Sequence, residues 1–118
     1  MNYHFTEILP QKVMNYIFLK SGRSWIKINK NDILYIQSSG AYSVVVCTDK
    51  NIIVNVKISD MVQTIGQYEQ FIRIHKRYVI NLNHLFKVTR TNLQIGETIL
   101  PIGKTYIDTI TKLIQQTN

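Results

Sequence analysis

The chain has 118 residues, with 14 Lys and Arg against 7 Asp and Glu and a net charge of +7. That length builds one hydrophobic core and not two, and 45% hydrophobic residues with only 2 Pro and 5 Gly exclude a disordered chain. No apolar run approaches the roughly 20 residues of a membrane helix, and the start MNYHFTEILPQKV lacks the basic-then-apolar layout of a secretion signal, so a cytoplasmic location is expected.

Residues 1 to 14 are of mixed character around Pro10 and read as a linker or N-terminal extension, leaving 15–118 as the domain. Tyr16 to Leu19 and Ser24 to Ile28 flank a Gly-containing turn, Lys20 to Arg23, and predict a hairpin. Ile33 to Gln37 and Tyr42 to Thr48 are strands around a loop at Ser38 to Ala41. Ile52, Val54, Val56 and Ile58 alternate with Asn55 and Lys57, which predicts one long strand with a wet side. Ser59 is the expected N-cap of a short helix ending at Gly66, with Met61, Val62 and Ile65 inward.

Phe71 to Ile74 and Tyr78 to Ile80 follow as strands, then a meander of Leu85 to Thr89, Leu93 to Ile95 and Thr98 to Leu100, with Gly96-Glu97 as a tight turn. Thr105, with Asp108 three residues later, predicts a capped final helix whose apolar face is Tyr106, Ile107, Ile110, Leu113 and Ile114. The sum is a mainly β domain, about nine to ten short strands in small antiparallel sheets with two short helices. Crossover helices are missing, which excludes a doubly wound nucleotide fold.

Candidate chemistry is sparse. Cys47 lies in the apolar run Val44 to Cys47 and is expected to be a small buried hydrophobe. His75 and His84 have no helical metal spacing and no accompanying ligands, and His75 is read as holding the adjacent loop. There is no Gly-rich phosphate loop, no H-E-x-x-H and no G-x-S-x-G, and the seven carboxylates are scattered. Neither an enzyme nor a cofactor is expected. The positive charge is concentrated instead: Arg73, Lys76, Arg77, Lys87, Arg90 and Lys104 stand against the single acid Glu97 over residues 73–104. Such an excess suits a polyanionic partner.

Within that region, FIRIHKRYVIN from Phe71 to Asn81 puts Phe71, Arg73 and His75 on one strand face and Ile72 and Ile74 on the other, until His75-Lys76-Arg77 breaks the alternation. This segment resembles the LytTR family, the DNA-binding output domains of bacterial response regulators in two-component systems. Two further blocks agree in order: Asp32 to Ser38 followed by Gly40 and Tyr42, and Leu100-Pro101-Ile102-Gly103-Lys104-Thr105-Tyr106. The resemblance covers about residues 16 to 114 and implies a sequence-specific, double-stranded DNA-binding domain that regulates transcription. Loops from the sheet edges, not a recognition helix, would enter successive major grooves.

Three loops carry the implied contacts. Ser38 to Ser43 offers Ser39, Ala41 and Tyr42, whose hydroxyl can bond a phosphate or base edge. In the second, Lys76 matches the family's base-contacting position, Arg77 can clamp a phosphate bidentately, and Arg73 has a phosphate role that depends on which strand face meets DNA. The third is Gly103-Lys104-Thr105, an anion site on free amides at a helix start; Lys104 replaces the family's first Arg and loses its planar fork. Gln37, where family members usually carry Glu, removes one negative charge near these loops.

The resemblance also implies paired direct repeats and dimerisation on DNA through a separate N-terminal receiver domain. No phosphorylatable Asp on a βα framework stands here, so the chain is expected to be an excised output domain or a stand-alone module; Pro10 and the linker-like start favour the first. Two rival readings are a basic β-rich protein-interaction module and a single-stranded nucleic-acid binder stacking bases on Tyr35, Tyr42, Phe71 and Tyr78.

Overall fold

The computed structural model of the chain describes residues 14–116, so the expected linker lies outside the described residues apart from Met14. Ten strands form three antiparallel sheets: a hairpin of β1 (Tyr16–Ser21) and β2 (Ser24–Asn29), a five-stranded sheet and a three-stranded sheet. The five-stranded sheet holds β3 (Ile33–Ser39), β4 (Tyr42–Cys47), β5 (Asn51–Val54), β6 (Phe71–His75) and β7 (Tyr78–Asn81) in the order β5-β4-β3-β7-β6. The third sheet is β8 (Leu85–Val88), β9 (Asn92–Ile95) and β10 (Thr98–Pro101). Two helices complete the domain, α1 (Ile58–Ile65) and α2 (Ile107–Gln115).

The five-stranded sheet is the middle layer, and strand alternation divides its side chains between two cores where the length alone predicts one, because packed elements cover both faces of the sheet. On one face Ile33, Ile36, Val45, Val54, Phe71 and Val79 pack under Ile17, Leu19 and Ile28 of the hairpin and Met61 and Ile65 of α1. On the other, Leu34, Ile72, Ile74, Tyr78 and Ile80 pack against Leu93, Ile95 and Leu100 of the third sheet and Ile110 of α2. Cys47 is buried in the first core as expected, and desolvation pushes its thiol pKa up.

Several boundaries differ from the sequence expectation. β5 stops at Val54, because the chain then bends: the Val56 amide donates to the Val54 carbonyl, and the fully buried Ser43 hydroxyl donates to the Val56 carbonyl at 2.6 Å. Ile58 therefore opens α1, and Lys57, not Ser59, is its N-cap, without a side-chain capping bond. Alternation persisted through Ile58 only because the first inward residue of the helix fell in phase with the strand. Gly66 does end α1, in ordinary right-handed backbone. The two hairpin turns shrink to two residues each. Ser21 pairs with Ser24 and Ser39 with Tyr42, so only Gly22-Arg23 and Gly40-Ala41 lie outside the ladders. Gly22 (φ +61) and Gly40 (φ +62) take the left-handed backbone that such tight hairpins require.

Thr105 is no cap. Lys104–Tyr106 forms a 3-10 turn, α2 starts at Ile107 with Tyr106 as N-cap, and no side-chain capping bond forms.

Candidate nucleic-acid interface

β3 is antiparallel to both β4 and β7, so the Gly40-Ala41 turn and the His75-Arg77 loop project from the same end of the sheet. A backbone bond joins them directly, the Ser38 amide donating to the Arg77 carbonyl at 2.9 Å. The Gly103 amide donates to the Ile74 carbonyl at 2.8 Å and brings the Lys104 turn beside the same loop. This contact is tight: a Cβ on Gly103 would stand 3.0 Å from the Tyr106 ring and 3.4 Å from the His75 Cα. All three loops singled out in the sequence thus meet at one edge. The Gly103 amide is engaged, and does not serve as the free donor expected of it.

The second loop is held by its own strand. A register shift between Arg73 and His75 bulges β6, so the expected alternation fails there and His75 pairs with Tyr78. Arg73 reaches around the loop, its Nε donating to the His75 carbonyl at 3.2 Å and its Nη2 to the Lys76 carbonyl at 2.6 Å. His75 Nδ1 accepts from the Arg77 amide at 3.1 Å, and its ring lies 5.4 Å from that of Tyr78. The imidazole holds the loop, as read from the sequence, and that bond places its ring proton on Nε2 when neutral. Arg73 is half-buried and acts on this loop through its backbone.

Lys76 and Arg77 are exposed at the tip, and so are Ser39, Ala41, Lys104 and Thr105. Tyr42 is 47% exposed at the first turn. None of these cations has a carboxylate partner among the described residues. Unpaired cations in water retain their full attraction for an anion at short range. Of the four rings considered for base stacking, Phe71 is buried, and Tyr35 and Tyr78 are half-buried in the second core with their rings edge to face at 6.4 Å. Only Tyr42 is presented to solvent. No group of metal-ligating side chains is assembled among the described residues, and no helix among them is long and apolar enough to cross a membrane.

No curated protein is similar enough to this sequence to count as a match. Among solved structures, the chain is similar to the LytTr DNA-binding domain of a Bacillus cereus protein described as a methyl-accepting/DNA response regulator. The TM-score is 0.69 at 18% identity, over 86% of this chain and 97% of the other. That likeness shows a shared fold. A family model described as the LytTr DNA-binding domain matches residues 23–115. The match runs from the tip of the first hairpin to the end of α2, and the chain belongs to the LytTr family of DNA-binding domains.

Proposed function

We propose that residues 15–118 read specific sequences in double-stranded DNA to regulate transcription, as the output domain of a two-component response regulator. One observation carries the reading beyond family membership: the loops bearing Tyr42, Lys76-Arg77 and Lys104 are gathered at one edge, and their cations have no carboxylate partner among the described residues. Laid along this edge, a duplex meets the Gly40-Ala41 tip, then Lys76, then the Lys104 turn. The outer loops enter successive major grooves. Lys76 donates to guanine O6 and N7, Arg77 and Lys104 hold phosphates, and Ser39, Ala41, Tyr42 and Thr105 contact the backbone or base edges. Arg73 positions Lys76 and Arg77. Two copies, paired through an N-terminal receiver domain, occupy direct repeats.

Selection of the domain from a random duplex pool in moderate salt, followed by sequencing, tests this. The expected result is a short enriched motif, especially in two copies about one helical turn apart. If the three loops neutralise about four phosphates, log affinity falls against log salt with a slope of roughly −3.6. A slope near zero removes the DNA reading. Equal retention of all duplexes, without enrichment, removes sequence specificity.

A further inference from the structure

The first hairpin belongs to the same edge. Its turn is tied to the end of β5 by two bonds: the Ser21 hydroxyl donates to the Ile53 carbonyl at 2.6 Å, and the Gly22 amide to the Asn55 Oδ1 at 3.4 Å. Val54 pairs with Ser43, so Asn55 lies level with Tyr42 at the Gly40-Ala41 turn. Lys57 follows two residues later, just past Val56, whose carbonyl is bound by Ser43. Arg23, at the tip of the tethered turn, and Lys57 are both exposed, and neither has a carboxylate partner among the described residues. Nothing stands within 4 Å of the position a Cβ would take on Gly22, so the turn is open to solvent on that side.

We infer that Arg23 and Lys57 form a fourth contact point for duplex DNA, beyond the Tyr42 loop and on the side away from Lys104. This rests on the DNA-binding reading above and lengthens its footprint. Strands lie roughly 4.8 Å apart, so the five-stranded sheet alone presents an edge of about 20 Å. The Lys104 turn on one side and the hairpin turn on the other extend it toward the roughly 34 Å of one DNA turn. At this outer position the contacts are to phosphate. Arg23 can bond two phosphate oxygens with its fork and Lys57 supplies a point charge, and neither carries base information.

The test compares salt dependence on the enriched duplex for the wild type, the double variant Arg23→Ala/Lys57→Ala, and Lys50→Ala, which removes an exposed cation from the opposite end of the sheet. The double variant is expected to lose about 1.8 from the magnitude of the slope, two phosphates at about 0.9 each, with the preferred sequence unchanged. Lys50→Ala is expected to leave the slope alone. An unchanged slope in the double variant, or an equal loss with Lys50→Ala, overturns the inference while leaving the DNA reading intact. A wild type that does not hold duplex at all overturns the DNA reading itself.

Discussion

The two ends of the five-stranded sheet are both polar, but they use polarity in opposite ways. At one end the Asn81 side chain is fully buried and every polar atom on it is used. Its Nδ2 donates to the Lys30 and Ile33 carbonyls at 3.1 and 2.9 Å, and its Oδ1 accepts from the Asn83 amide and from Gln70. Asn31 extends the network, accepting from Gln70 and Asn83 through its side chain and contacting His84 through its carbonyl. These bonds stitch the 3-10 turns Lys30–Asp32 and Leu82–His84 onto the sheet. Neutral amides suit the task, because they can be desolvated once both donors and acceptors are met. At the other end Lys76, Arg77, Lys104, Arg23 and Lys57 stay exposed. One end closes the fold on itself, and the other leaves its donors for a partner.

That contrast breaks if binding depends on the closed end, or stability on the open one. The largest expected effect is Asn81→Ala, which orphans buried groups on two segments and should cost about 3 kcal/mol in urea unfolding, with a Tm lower by roughly 10 °C. Duplex affinity and salt slope, measured where the variant is still folded, should not move. Next comes Lys76→Ala, expected to weaken duplex binding by about 1–3 kcal/mol in a titration. Lys104→Ala follows, expected to weaken binding evenly across sequences and to take about 0.9 from the magnitude of the salt slope. Each should change stability by less than about 0.5 kcal/mol. Wild-type binding by both variants would remove the assignment of these loops. The smallest effect sharpens the comparison where fold and interface meet. Arg73→Ala removes two bonds from a charged donor to backbone carbonyls and should cost about 1 kcal/mol of stability. Faster hydrogen exchange at the loop amides and a loss of affinity should accompany it, and Arg73→Lys should not restore either. Unchanged exchange in Arg73→Ala would refute its positioning role.

The strands were legible because alternation is a local property of the chain. The second core was not, because length and composition point to one, and only the strand order places packed layers on both faces of the middle sheet. The turn ends were not legible either. Ser38 and Ser39 have the composition of a loop, yet β4 supplies partners that hold them in the ladder. Thr105 and Asp108 have the spacing of a capping box, but docking of Gly103 on Ile74 imposes a 3-10 turn first. The three loops could be picked out one by one, whereas their meeting at one edge depends on strand order, which periodicity does not encode. Arg23 and Lys57 carried no local signal at all; only the tether from Ser21 and Gly22 to β5 places them there. Asn81 was simply the last residue of a motif until its four bonds were seen.

The grip of Arg73 and His75 on the loop has a consequence for how such a domain changes over time. Both side chains hold main-chain atoms of residues 75 to 77, and neither hydrogen-bonds to the side chain of Lys76 or Arg77. The shape of the loop is therefore insured separately from what it displays. Under the proposed function, substitutions at 76 would alter which duplex is preferred, and substitutions at 77 how tightly it is held, without asking the fold for compensation, so descendants of one ancestor would acquire new target promoters by single steps. The same separation would give an engineer one position, 76, at which to write a new preference and a neighbour, 77, at which to tune affinity, on an unchanged scaffold.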